Sequence, residues 1–277
     1  MSKPRPVDFV IIGAMKAGTS TVHQWLETQP EIRMLSWKEP SFFSREDRWS
    51  KGLEWYQSLY SHEPEGLVGE ASTSYTSPRF AERAAERMAQ SLPRARLVFL
   101  VRHPVERARS HYRHQVQRGR ERRPFPKAIA DPAMLYIAQS RYWSCLTPYL
   151  ERFPRSQILV ARTEDLDSGS AWTQVLEHLG LPWRESPSLR VNETAAKAQF
   201  TPLLRWLWSR RFLRNRRLPA VIRSAGKSML TSNAGAYRNL LSSSNAPVPD
   251  ELLKPVWEDA RQLGEWVGER LWDPRQS

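Results

Sequence analysis

The chain has 277 residues, a net charge of +13 and a single cysteine, Cys145. One cysteine excludes an internal disulfide framework, and no stretch reaches the ~18–20 consecutive apolar residues that a membrane-spanning helix needs. We expect a cytoplasmic protein without a signal peptide, because Met-Ser-Lys-Pro-Arg-Pro leads directly into the first predicted strand.

The positive charge is compatible with three classes of partner: nucleic acid, an acidic membrane surface, or a polyanionic small ligand. The sequence has no zinc-finger spacing, RNP signature or basic-zipper heptad, and its arginines are spread along the chain rather than gathered in one tail. These features argue against dedicated nucleic-acid binding.

Predicted strands and helices alternate along most of the chain. Apolar runs rich in β-formers predict strands at 7–12, 67–69, 96–101 and 157–161, with a short extended piece at 32–36. Helical patterns cover 19–28, 52–60, 79–90, 105–117, 134–152, 171–179 and 250–270. The alternation predicts an α/β fold of the P-loop type, with three layers and a central parallel sheet flanked by helices.

The first strand leads into a glycine-bounded loop that has the features of a phosphate cradle. Gly13 and Gly18 have the spacing of a nucleotide-binding P-loop, and Thr19 begins the next helix. Loop N–H groups and the first turn of a helix both attract an anion. However, Thr19 occupies the position of the lysine that nucleoside triphosphatases require, and the lysine of this loop is Lys16.

Two further motifs are weak when each is considered alone. Arg102 follows strand 96–101 at the carboxyl edge where open α/β sheets bind ligands, and Ser110 lies in the next helix. They either hold a second phosphate or are an unrelated surface arginine and helical serine. In Lys38-Glu39-Pro40, the proline biases Glu39 away from α-helix and toward an extended conformation. Glu39 is then either a general base near the phosphate loop or half of an exposed ion pair.

Together the three motifs resemble the sulfotransferases that use 3′-phosphoadenosine 5′-phosphosulfate (PAPS), above all the heparan-sulfate type and its bacterial small-molecule relatives. The resemblance runs from about residue 8 to 195. It implies one sulfotransferase domain over 1–277, with a cofactor-binding core at 8–195, an acceptor-site roof at 196–248 and a C-terminal helix at 249–277. It also implies direct in-line transfer of a sulfuryl group to a hydroxyl, in preference to an amine, of a small-molecule or glycan acceptor, without a metal.

The resemblance assigns roles to matching residues. Glu39 is implied as the catalytic base, and Lys16 and Lys38 as the catalytic cations. The loop implied to bind the 5′-phosphosulfate comprises Lys16, Ala17, Gly18, Thr19, Ser20 and Thr21. Arg102 and Ser110 match the pair that binds the 3′-phosphate, and Tyr142 is a further cofactor-site match.

The chain departs from the family pattern in three places. Gly69-Glu70-Ala71-Ser72 lacks the lysine that often follows the glutamate, so Glu70 is either a second acidic site residue or a strand-end carboxylate. His103 replaces an Asp or Asn, and is either a titrating site residue or an ordinary helix-start histidine. The basic loop that covers PAPS is not recognisable, and Lys227 or Arg238 is the candidate to replace it.

The segment 203–217 is rich in tryptophan and arginine. It is either a lipid-like or anionic acceptor contact, including weak contact with an acidic membrane, or a helix pair packed by its tryptophans with solvated arginines. Two rival functions also remain at this point: a P-loop kinase or nucleoside triphosphatase, and a non-enzymatic basic binder of anions or nucleic acid.

Overall fold

The computed structural model describes residues 7–35, 37–60, 66–185 and 235–273. Its strands form one parallel sheet in the order β2-β3-β1-β4-β5. They are β1 (Phe9–Gly13), β2 (Ile32–Met34), β3 (Leu67–Ala71), β4 (Arg96–Val101) and β5 (Ile158–Arg162). All five residues of the central β1 are buried, as expected for a strand covered on both faces. The predicted parallel α/β fold is therefore confirmed.

The helices fill the connections between strands and follow β5. They are α1 (Thr19–Glu27), α2 (Glu46–Trp49), α3 (Gly52–Ser58), α4 (Ala81–Ser91), α5 (Pro104–Gln117), α6 (Phe125–Ile129), α7 (Tyr142–Leu150), α8 (Ser170–Leu179), α9 (235–243) and α10 (Asp250–Val267). The sequence did not predict α2, α6 or α9. The first two have only four and five residues, which carry too little periodicity to identify a helix. No helix in these described ranges is long and apolar enough to cross a membrane.

The predicted helix 134–152 is wrong in its first half. Pro132–Met134 and Ala138–Ser140 form separate 3₁₀ turns, and only Tyr142–Leu150 is α-helical. Leu135 lies between the two turns with a φ of 58°, a left-handed conformation that an α-helix cannot contain. The side chain of Asp131 further favours the short turn by accepting a hydrogen bond from the Ala133 N–H.

A second, smaller core joins α5 and α6 to α9 and the start of α10. Tyr112 of α5 is buried in this core, and its hydroxyl lies 2.9 Å from the Arg123 carbonyl and 3.1 Å from the Leu240 carbonyl. Since Leu240 belongs to α9, this contact places α9 beside the helix that begins at the end of β4. The predicted segment 203–217, together with Lys227, lies outside the described residues.

Asp259 of α10 caps the N-terminus of α7, a helix that is distant from it in the sequence. Its Oδ1 accepts a hydrogen bond from the Trp143 N–H at 2.7 Å, and its Oδ2 accepts from the Ser144 N–H at 2.9 Å. The Ser144 hydroxyl donates to the same Oδ2 at 2.6 Å. The carboxylate is 2% exposed. It thereby satisfies N–H groups that every helix start leaves without an intrahelical acceptor.

We predict that Asp259→Ala lowers the free energy of unfolding by about 2 kcal/mol, because buried donors at the start of α7 lose their acceptor. Urea denaturation measures the loss, and Asp259→Asn should lose less because one oxygen is kept. Asp250→Ala, at an exposed position in the first turn of α10, is the control. A D259A protein as stable as D250A would contradict this account of the cap.

Candidate active site

All five strands end at the same edge of the sheet, and the segment after each strand carries a residue of the candidate site. Lys16 follows β1, Glu39 follows β2, Thr73 follows β3, Arg102 follows β4 and Thr163 follows β5. Parallel strands bring all their carboxyl ends to the same edge, where ligands of open α/β sheets bind. Because β1 lies between β3 and β4, the phosphate loop is at the centre of this edge.

The phosphate loop is fixed from behind by Thr163, which sequence reasoning missed. The Thr163 hydroxyl lies 2.9 Å from the Ala17 carbonyl and 2.9 Å from the Val101 carbonyl, so it links the loop to the end of β4. Gly18 has a φ of 79°, and a Cβ there would lie 3.2 Å from Thr163 Cγ2. Glycine is favoured at this position by both conformation and space. The one sequence signal that could have identified Thr163 is its position directly after β5.

Lys16 lies in a strongly positive environment. Its backbone is left-handed, with a φ of 71°. Burial lowers the pKa of the Lys16 ammonium, and the charges of Arg102, Arg118, Arg113 and Lys38 lower it further. Cations placed so close together repel one another unless an anion lies among them. The loop is therefore electrostatically prepared for a ligand with several negative charges.

Glu39 is held by the segment that follows β3. Its N–H donates to the Ala71 carbonyl at 3.2 Å, and its carboxylate accepts a hydrogen bond from the Thr73 N–H at 3.2 Å. The Thr73 hydroxyl lies 3.1 Å and 3.2 Å from the two carboxylate oxygens. The predicted extended conformation of Glu39 is wrong, because its φ is 59°, in the left-handed region. The side chain is thus oriented by two donors of one residue, both of which reach Oε2, while Oε1 faces the Thr73 hydroxyl alone among these donors.

The turn that carries Glu39 also contacts the phosphate loop directly. The Lys38 Nζ donates a hydrogen bond to the hydroxyl of Ser20, in the first turn of α1. This contact brings two predicted site residues from separate motifs together. A cation is thereby positioned between the candidate base and the candidate anion site.

Arg102 is positioned through its backbone and its side chain. The buried Tyr142 hydroxyl donates to the Arg102 carbonyl at 2.7 Å and accepts from the Arg102 N–H at 3.3 Å. The Arg102 guanidinium lies 4.0 Å from the Glu106 carboxylate. Glu106 also contacts Arg109 at 2.7 Å and Arg113 at 3.8 Å, so one carboxylate holds three arginines and leaves a net positive charge.

Other predicted residues have different surroundings. Ser110 is half-buried on α5, and Arg238 is exposed on α9, the helix that Tyr112 of α5 contacts through Leu240. Tyr142 is fully buried, and its hydroxyl contacts the Arg102 backbone. The His103 ring lies 5.5 Å from the Trp257 ring and 6.5 Å from the Trp272 ring, and burial lowers its pKa. The roles of Ser110, Tyr142 and Arg238 toward a cofactor therefore stay predictions.

The model of a known family, described as the sulfotransferase domain, matches residues 6–201 of this chain. The chain belongs to the sulfotransferase family. The resemblance inferred from the three motifs is thereby confirmed.

Relatives agree with this assignment. The chain is 32% identical over 183 residues to heparan sulfate glucosamine 3-O-sulfotransferase 6 of Homo sapiens, covering 62% of this chain and 52% of that protein. It is 30% identical over 183 residues to heparan sulfate glucosamine 3-O-sulfotransferase 3B1 of Mus musculus, covering 62% and 45%. The chain thus spans about half the length of these curated relatives. A solved sulfotransferase from Alicyclobacillus acidocaldarius is 27% identical, with a TM-score of 0.58 over 74% of this chain and 90% of that one.

A second carboxyl group, fully buried, lies beneath the same sheet edge. Glu70 lies on β3, directly before the Ala71 carbonyl that binds the Glu39 N–H. Its Oε2 accepts a hydrogen bond from the Tyr56 hydroxyl, while its Oε1 has no partner among the described residues. Burial raises the pKa of Glu70 to about 7, although the hydrogen bond from Tyr56 lowers it. Glu70 is therefore a strand-end carboxyl buried in the core.

We predict that Glu70 makes the fold less stable as the pH rises. Its folded pKa of about 7 lies above the ordinary value of 4.5, so the stabilisation present at acid pH is lost as the pH rises through the folded pKa. Relative to Glu70→Gln, the wild type should lose about 2 kcal/mol of unfolding free energy between about pH 5 and about pH 8.

Urea denaturation of both proteins across this pH range measures the difference. Glu86→Gln, at an exposed position on α4, is the control and should follow the wild type. Parallel stability curves for the wild type and E70Q would show that Glu70 does not bind a proton on folding.

Proposed function

We propose that this protein transfers the sulfuryl group of PAPS to a hydroxyl of an acceptor and releases adenosine 3′,5′-bisphosphate. The observation that carries the proposal is a pair of cationic sites on one sheet edge. Lys16 provides the first within the phosphate loop, and Arg102 provides the second beyond β4. A ligand with phosphate groups at both its 5′ and 3′ positions fits two such sites, whereas ATP has phosphates at one position only.

The surrounding residues fit this cofactor. The loop from Lys16 to Thr21 would hold the 5′-phosphosulfate, and Arg102 with Ser110 would hold the 3′-phosphate. Tyr142 would act through the Arg102 backbone, and Arg238 is the proposed covering cation on α9. The lowered pKa of Lys16 supports the fit, since a bound polyanion would relieve the repulsion among the cations. When bound, PAPS would supply the sulfuryl group.

Glu39 is the proposed general base. It is half-buried, its carboxylate is oriented by Thr73, and it lies on the turn that Lys38 ties to Ser20. A carboxylate held in this way can accept the proton of an acceptor hydroxyl. Lys16 and Lys38 would stabilise the negative charge that develops as the sulfuryl group departs, the role that preorganised cations have in phosphoryl and acyl transfer.

The acceptor that we propose is a hydroxyl group of a glycan or small molecule. The relatives named as heparan sulfate glucosamine 3-O-sulfotransferases support a glycan hydroxyl. One relative, at 28% identity, is named a bifunctional heparan sulfate N-deacetylase/N-sulfotransferase 2 of Bos taurus, so an amine acceptor is the alternative. A screen for bisphosphate release across hydroxyl and amine acceptors separates them.

We predict tight binding of adenosine 3′,5′-bisphosphate without magnesium and at least about tenfold weaker binding to Arg102→Ala, because a charge-assisted contact to phosphate is lost. Titration calorimetry measures both, with ATP titrated alongside. Arg261→Ala is the control, since Arg261 is an exposed residue of α10 paired with Glu258 and Glu265. Magnesium-dependent ATP binding in place of bisphosphate binding would indicate a P-loop kinase instead.

We predict that Glu39→Gln lowers kcat by roughly 10²–10⁴-fold, because the amide cannot accept the acceptor's proton. Bisphosphate affinity should stay unchanged, since Glu39 contacts Thr73 and not the phosphate loop. Release of the bisphosphate is followed with the best acceptor of the screen, and Glu86→Gln is the matched control. Near-normal turnover by E39Q would assign the proton to another group.

A further inference from the structure

An aromatic pair, an exposed Trp37 and a half-buried Trp55, lies next to the turn that carries Glu39. Trp37 comes directly before Lys38, and 40% of its surface is exposed. Its ring meets Trp55 of α3 edge to face, with 6.0 Å between ring centroids and an interplanar angle of 89°. An exposed tryptophan beside a candidate base has no role in the donor site described above.

Packing fixes this pair relative to the turn. Trp55 also contacts the buried Phe42, with 6.1 Å between ring centroids. Phe42 in turn stacks on Tyr56 at 4.5 Å. Because Trp37 precedes Glu39 and Phe42 follows it, Trp55 contacts both flanks of the turn. The distance from the aromatic pair to the Glu39 backbone is therefore set by the core and not by a free loop.

Cations lie on the faces of both indoles. The Arg48 guanidinium lies 4.3 Å from the Trp37 ring centroid and 5.8 Å from that of Trp55, and the Lys51 ammonium lies 4.5 Å from the Trp55 centroid. The nearest carboxylate to Arg48 is that of Asp47 at 3.6 Å, and Asp47 is also hydrogen-bonded by Arg45 at 2.9 Å. Glu46 is paired with Arg87 at 2.6 Å. The surface is thus aromatic and positively charged.

We propose that Trp37, held edge to face by Trp55, forms a stacking platform for a ring of the acceptor, and that Arg48 and Lys51 bind an acidic group carried on that ring. Indole faces stack on flat apolar ring faces, and neighbouring cations select ligands with a carboxylate or sulfate. This inference rests on the proposed function and narrows its acceptor to ring-containing acids. An acidic saccharide and an aromatic acid share this chemistry.

The test compares matched acidic and neutral ligands in the presence of adenosine 3′,5′-bisphosphate. The saccharide arm uses a heparosan hexasaccharide against neutral chitohexaose. The aromatic arm uses 4-hydroxyphenylacetate against 4-hydroxyphenethyl alcohol. Titration calorimetry gives affinities, and bisphosphate release from PAPS gives kcat and KM for any member that is sulfated. We expect at least one acidic member to bind about tenfold more tightly than its neutral partner.

The variants are Trp37→Ala and the double variant R48Q/K51Q. Each should weaken binding of the acidic ligand, or raise its KM, by about tenfold while kcat changes less than about threefold. The double variant should also abolish the preference for the acidic member. Trp183→Ala is the matched control, because Trp183 is 70% exposed and lies outside the platform. Arg261→Gln controls for loss of a surface charge.

The outcomes separate this inference from the proposed function. Absence of bisphosphate binding by the wild type would refute the proposed use of PAPS. Normal bisphosphate binding by every variant would show that the donor site is intact. The platform is overturned if no acidic ligand binds the wild type, if acidic and neutral members bind equally, or if W37A behaves like W183A. If the acidic saccharide is the ligand that binds more tightly, the acceptor ring is a saccharide. If the aromatic acid is that ligand, the acceptor ring is aromatic.

Discussion

The parallel sheet imposes the constraint on which the rest of the site depends. Five strand ends meet at one edge, and the order β2-β3-β1-β4-β5 places the phosphate loop between the segment after β3 and the segment after β4. Glu39 contacts the first of these segments and Arg102 begins the second. The topology alone therefore places the proposed base and the proposed second anion site on opposite sides of Lys16.

The cations of this arrangement repel one another, and a small number of carboxylates reduces that repulsion. Glu106 contacts Arg102, Arg109 and Arg113. These contacts hold the pKa of Glu106 below its ordinary value despite its partial burial. One negative charge orients three guanidinium groups without neutralising them. Preorganisation of this kind keeps cations in place before the ligand arrives, so that less ordering remains to be done on binding.

Local signals predicted the fold and the phosphate loop, and long-range contacts account for what they missed. The apolar strand before Gly13 acts within a few residues, so sequence alone revealed the loop, whereas Pro40 predicted an extended Glu39 and the residue is left-handed. Thr73 and Thr163 act on Glu39 and Ala17 across 34 and 146 positions of the chain. The periodicity of a sequence does not indicate contacts between residues so far apart in the chain. The predicted helix 134–152 failed for a local reason, because the left-handed Leu135 interrupts it and Arg141 is non-helical directly before α7. No glycine marks either break.

The turn around Glu39 shows how a core can support a site of unusual backbone geometry. Glu39 and Ser41 both have left-handed φ values, of 59° and 53°, which cost energy in residues that bear a Cβ. Hydrogen bonds from the Glu39 N–H to Ala71 and from the Ser41 N–H to Ser72 hold both residues in that conformation. Because both acceptors directly follow the buried Glu70 at the end of β3, the turn is anchored to a strand that the core itself fixes.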